Sequence, residues 1–210
     1  MARPVKANAE ATRQNVLVAA SLLFSERGLG RASIRDIASQ AGVSLAMIHH
    51  YFGSKQDLYQ ACIDAMYQEL EQLRDALEST FLAGGSPEVI VRRAVIASYR
   101  FARSHRAAIR LLMREMLDTG EMRADRRERY LLPFLDRGST VLASFLGQPQ
   151  VAMRLALQSA SHLLVRYALT APVELALVCG LEEEDTASAV VESHLVDVVT
   201  SLLYLPHQSS

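Results

Sequence analysis

Apolar residues recur along this chain at three- and four-residue steps, the spacing that lines one face of an α-helix. Val16, Leu17, Ala20, Leu23 and Phe24 begin the pattern, and Gly28 ends it as a left-handed cap. Ile34, Ile37, Ala38 and Ala41 form a second stripe behind Ser33, with Asp36 three residues on as a short capping box. In the turn Ala41-Gly42-Val43-Ser44, Gly42 takes the positive φ, Val43 faces the core and Ser44 caps a third helix. That helix runs from Leu45 to about Tyr51. Ser54 and Asp57 cap a fourth, whose seam of Tyr59, Ile63, Met66, Leu70, Leu73 and Leu77 is unbroken. At ~1.5 Å per residue, about 25 residues make a rod of roughly 37 Å.

Gly84-Gly85-Ser86-Pro87 is the strongest interruption, and Ser86 and Pro87 restart a helix as cap and first residue. The pattern then predicts a fifth helix to about Arg103 and a sixth from about His105 to Leu117. A seventh runs from Arg123–Arg129 to Leu146, kinked or split at Pro133. An eighth follows Gly147-Gln148-Pro149, reaches about Thr170 and is ended by Pro172. The last leaves the acidic Glu182–Asp185 and ends at Leu205 and Pro206. The expected fold is all-α, with about nine helices. Residues 1–53 would form a three-helix head and residues 54–210 a larger helical domain, joined through the long fourth helix.

Composition sharpens this picture. Half the residues are apolar and 21% charged, enough to build a core and to exclude disorder; low Gly and Pro usage suits helices. Cys62 and Cys179 make neither a disulfide framework nor a zinc spacing. Arg3, Lys6, Asn8, Glu10 and Arg13 leave no apolar secretory stretch at the N-terminus. Arg166, Pro172 and Glu174 break the least polar stretch, Leu163 to Leu181. A cytoplasmic protein without a membrane span is expected. The net charge of −1 hides an asymmetry: residues 1–60 carry seven basic and four acidic side chains, the remainder fifteen and nineteen. A basic end suits an anionic partner.

Two short helices joined by a Gly-containing turn at that basic end describe a helix-turn-helix. On the second of them Leu45, Ala46, His49 and His50 lie away from the face holding Ile48 and Phe52. A surface without long charged side chains there can approach base edges, although an ordinary helical hairpin with two surface histidines would read the same way. Lys55 sits in the first turn of the fourth helix, against the helix dipole; a phosphate at that terminus would reverse the sign.

Thr12 through Leu58, above all RASIRDIASQAGVSLAMIHHYFGSKQDLYQA, resembles the DNA-binding domain of the TetR family of transcriptional regulators. The remaining two-thirds agree in architecture only. The resemblance implies that Ser33 and Arg35 contact phosphate and that Ser44, Leu45, Ala46 and Met47 open the recognition helix. His49 stands where the family usually has a tyrosine, and Tyr51 and Lys55 match further backbone contacts. Leu45, Met47 and His49 depart from the family's usual residues. Leu45 and Met47 suit thymine methyls, which leaves polar base readout to His49 and His50.

The resemblance further implies a homodimer on double-stranded operator DNA and a small-molecule effector. The last helix supports a dimer independently. Its apolar arc, from Val190 to Leu203, is too broad for one partner, and Val191, Leu195, Val198 and Leu202 are the expected interface. Met66, Leu70, Tyr99, Arg103, Met113, Met116, Leu117 and Phe134 are candidates for an apolar or amphipathic ligand's lining, or else ordinary core. No His-Glu-x-x-His, glycine-rich phosphate loop or Cys–His pairing occurs. No cofactor or metal and no enzymatic activity are expected. The alternatives are a helical adaptor whose helix-turn-helix reads no bases, and an all-helical enzyme.

Overall fold

The computed structural model describes residues 3–82 and 84–204, which are helical but for short connections; no strand occurs among the described residues. The order is α1 (Arg3–Arg31), α2 (Ile34–Ala41), α3 (Leu45–Phe52), α4 (Lys55–Leu82), α5 (Pro87–Ser104) and α6 (Arg106–Thr119). Then come α7 (Ala124–Arg126), a π-helical segment (Arg127–Leu131), α8 (Leu132–Leu146), α9 (Gln150–Leu169), α10 (Pro172–Cys179) and α11 (Glu184–Tyr204). Leu205 and Pro206, the expected end of the last helix, lie outside the described residues.

The first compact unit comprises Met1–Leu70 with Ala107–Glu121. Beyond the expected boundary at residue 53, this unit also takes in the first part of α4, to Leu70, and most of α6. Val16, Ala20, Phe24, Ile37, Ile48, Leu58 and Ile63, spaced as the apolar pattern requires, are each 0–1% exposed and form its core. Ser33 accepts the Asp36 N–H at 3.1 Å and Ser44 the Met47 N–H at 3.2 Å, so both expected caps are made. The Asp36 carboxylate does not complete a capping box. It accepts from Arg27 Nη1 at 2.6 Å, since a cation offers a stronger, charge-assisted donor than the Ser33 N–H. At α4 the box is complete: Ser54 Oγ accepts from the Asp57 N–H, while the Ser54 N–H and hydroxyl both donate to Asp57 Oδ2.

Gly28 interrupts α1 at φ 73°, ψ 167°, and the chain turns helical again to Arg31. This backbone region is open in practice only to glycine.

The second unit comprises Glu71–Arg106 and Met122–Ser210. Within it α5 packs on α9 and α11, α8 on α9, and α10 on α11. Arg100 closes a bidentate pair on Glu192 at 2.7 and 2.8 Å, tying α5 to α11. The kink or split expected at Pro133 takes the form of the π segment. Proline has no N–H and its ring crowds the carbonyl four residues back; the wider turn, with the Leu132 N–H on Arg127 O, accommodates both. Pro172, expected only to stop a helix, is the first residue of α10, a place where its missing N–H costs nothing. Residues 186–204 of α11 are long and apolar enough for a membrane span by length and composition. Here Val191, Leu195, Val196, Val199 and Leu203 are buried instead, on a helix that packs against α5, α9 and α10.

Candidate nucleic-acid interface

The α2–α3 pair is held from beneath. Ile37 and Ala38 on α2, and Ile48 and Phe52 on α3, are buried, and Gly42 bridges the helices in the left-handed conformation (φ 67°, ψ 32°). Anchoring on that side leaves the other side of α3 outward. Leu45 and Met47 are 38% and 36% exposed, and Ala46, His49 and His50 are exposed beside them. A surface of two aliphatic side chains, one methyl and two imidazoles carries nothing long enough to hold a groove away.

Several of the expected contact groups are already oriented. Ser33 and Ser44 spend an oxygen lone pair on capping but keep their hydroxyl hydrogens, so each can still donate to a phosphate. His49 Nδ1 lies 2.8 Å from the Gly53 carbonyl oxygen. A carbonyl only accepts, so Nδ1 carries the proton and Nε2 is left for another partner. Tyr51 is half-buried and meets the His50 ring edge-on, centroids 5.4 Å apart. Arg35 is exposed on the first turn of α2. Lys55 is half-buried, its ammonium donating to the Gly30 carbonyl at 3.3 Å. Nothing in the sequence signals that contact, because a backbone carbonyl 25 positions away has no residue signature.

The other expected sites fare unevenly. Among the ligand-lining candidates, Met66, Leu70, Met113, Met116 and Leu117 belong to the first unit, and Tyr99, Arg103 and Phe134 to the second. Leu117 is corrected: 84% exposed near the end of α6, it lines no enclosed space. Met66 and Tyr99 are buried, while Leu70, Arg103, Met113, Met116 and Phe134 are half-buried. None of them lines the shallow groove of about 450 Å³ that Glu88, Arg92, Val196 and Asp197 border on the second unit. Two of the interface candidates are corrected as well. Val191 and Leu195 are 2% and 0% exposed within the chain itself, so they have no area left for a second subunit. Val198 and Leu202 are half-buried. The large apolar residues that α9 and α11 leave outward include Val151, Leu155 and Val190, 72%, 65% and 46% exposed. A helical stripe read from sequence tells which residues are buried, and not by whom.

Comparison with known proteins agrees with this geometry. The family described as "Bacterial regulatory proteins, tetR family" matches residues 16–62, the segment holding most of α1, all of α2 and α3, and the start of α4. The HTH-type transcriptional regulator TtgR of Pseudomonas putida is 37% identical over 79 residues, 38% of either chain, so that match spans well under half of the relative. The HTH-type transcriptional repressor BepR of Brucella suis is 30% identical over 159 residues, covering 72% of this chain and 71% of BepR. A crystal structure of a TetR-like transcriptional regulator from Rhodococcus sp. RHA1 superposes with a TM-score of 0.62 at 25% identity, over 92% of this chain and 93% of that one. All three are named as transcriptional regulators or repressors. With the match to BepR extending far past the helix-turn-helix, the chain belongs to the TetR family of bacterial transcriptional regulators.

Proposed function

We propose that this chain is a cytoplasmic transcriptional repressor that binds a palindromic operator as a homodimer, with α3 in the major groove, and that a small apolar or amphipathic effector modulates the binding. The observation that carries the reading is the outward face of α3, clear of long charged side chains and anchored from beneath by Ile48 and Phe52. Leu45 and Met47 meet thymine methyls, His49 and His50 read polar edges, and Ser33, Ser44, Arg35, Tyr51 and Lys55 position the head on phosphates. The subunits meet through the outward faces of α9 and α11, where Val151, Leu155, Val190, Val198 and Leu202 keep apolar area for a partner. The name of BepR as a repressor supports the sign of regulation.

Selection from random duplex DNA tests this. A dimer with two-fold symmetry returns a palindrome whose half-sites lie about one helical turn, or a multiple of it, apart. A single asymmetric half-site, or no enrichment at all, refutes the reading. Transcription from a promoter carrying the selected site then falls when the protein is supplied; a rise makes it an activator.

A further inference from the structure

One step of α5 holds two polar groups that the protein leaves short of acceptors. Tyr99 is 0% exposed, and its buried hydroxyl has no hydrogen-bond partner among the described residues; Ser188 comes near it without reaching bonding geometry. One turn on, Arg103 is half-buried and points the same way, since residues four apart share a helix face. Its Nη1 donates to the carbonyls of Ala168 and Thr170, at 3.4 and 3.0 Å, at the end of α9. Its Nε and Nη2 have no partner among the described residues, and no carboxylate pairs with it. The acid that influences this spot, Glu192, is taken up by Arg100 through both oxygens. A buried phenol without an acceptor and a half-buried guanidinium without an anion are each unfavourable alone. Side by side, they suit a partner with two acceptor oxygens and negative charge.

We infer that Tyr99 and Arg103 form the polar end of a ligand site that takes a carboxylate, the Tyr99 hydroxyl donating to one oxygen and the Arg103 guanidinium to the other. The inference rests on the proposal that this chain binds an effector, and it narrows that effector to an amphipathic carboxylate. Arg106, whose charge also reaches Tyr99 and whose Nη2 donates to the Leu169 and Thr170 carbonyls, adds a second cation beside Arg103, so the spot favours an anion over a neutral group. Arg103 also caps α9, so a carboxylate arriving at its guanidinium competes with the Ala168 and Thr170 carbonyls and touches the α9–α10 junction directly.

The test titrates the full-length protein with straight-chain carboxylates of two to ten carbons and with the alcohols of matching length, by calorimetry. At the chain length that binds best, the carboxylate binds about tenfold or more tightly than its alcohol, as expected for hydrogen bonds to a charged group. Tyr99→Phe, which deletes one oxygen and keeps the ring, removes about tenfold of the carboxylate's affinity and none of the alcohol's. Arg103→Gln abolishes the preference for the carboxylate. Carboxylates that bind no better than alcohols throughout the series, or that bind Tyr99→Phe and wild type alike, overturn the inference. Operator affinity measured with each probe separates it from the reading it rests on. Carboxylate binding that depends on Tyr99 yet leaves operator affinity unchanged keeps the site and refutes the effector role. Alcohols that shift operator affinity in wild type and Tyr99→Phe equally keep the effector role and refute the site.

Discussion

Gly28→Ala is the sharpest test of how the head is built. At φ 73°, ψ 167° this residue occupies a region that a Cβ makes costly, on the order of 1–3 kcal/mol. An added Cβ would also stand 2.6 Å from Arg114 Nη1. That atom is the far end of a flexible side chain, so the guanidinium can swing aside and the backbone contribution dominates. For a chain of this size, each kcal/mol moves the melting temperature by about 2–4 °C, so Gly28→Ala should melt roughly 2–12 °C below wild type. Gly30→Ala, two residues away, should do the opposite. Gly30 is helical, its φ is not positive and nothing lies within 4 Å of its would-be Cβ. Alanine there gains about 0.5–1 kcal/mol from the narrower unfolded ensemble.

Urea unfolding followed by circular dichroism measures both, and Arg114→Ala sorts the contributions. If backbone strain dominates, Gly28→Ala loses as much stability in the Arg114→Ala background as in wild type. A full recovery there would assign the loss to the contact with Arg114. A Gly28→Ala protein as stable as wild type would refute the reasoning outright, because it would require α1 to run straight through position 28.

Lys55→Ala should weaken binding to all duplexes alike and lower the slope of log affinity against log salt by about one, as for a single phosphate contact; a loss confined to one operator sequence would make Lys55 a base reader. Leu195→Ala removes a fully buried side chain and should cost about 2–5 kcal/mol in unfolding experiments, whereas Leu155→Glu, on an outward face, should yield a folded monomer by sedimentation. Burial pushes the Cys62 thiol up to about 12, above the small lowering from Ser21, so Cys179 should react with a thiol reagent first and Cys62 only on unfolding; the neutral Cys62 thiol stabilises the fold below the ordinary thiol range, an advantage lost as pH climbs from about 9 to 12. The Ser54 hydroxyl and N–H hold the Asp57 carboxyl below its usual value of 3.8, so its cap on α4 is fully present above that pH and lost as pH falls beneath it; Asp57→Asn should flatten this acid limb of the stability curve.

The head was legible in the sequence because its determinants are local. Ser33, Ser44 and Ser54 cap the helices that follow them within three residues, and the buried stripes of α1 to α3 keep to helical spacing. Local signals fail where a short range of chain cannot carry them. Asp36 had a competent partner at Ser33 but found a stronger one in Arg27, nine residues back. Lys55 reaches a carbonyl at Gly30, and Arg103 carbonyls at Ala168 and Thr170, and main-chain acceptors leave no mark on composition.

The breadth of the α11 arc is the most instructive case. A helix apolar on two sides needs two covers, and a second subunit is one way to supply them. This chain supplies more of its own. α10 is apolar nearly all round, with Val173, Leu175, Ala176, Leu177 and Val178, so eight residues display no period by which a helix could be expected. It nevertheless packs on α11, with α5 and α9 covering other parts of the same helix, and Val191 and Leu195 are consumed inside the chain. What remains outward on α9 and α11 includes Leu155 and Val190, and α10 adds exposed apolar residues of its own. There Val173, Leu177 and Val178 stand 57%, 75% and 69% exposed, so the helix that fills the arc from inside also enlarges the apolar surface outside. Exposed apolar side chains on neighbouring positions call for a cover, and in the proposed dimer α10 would belong to the interface rather than to a passive connection.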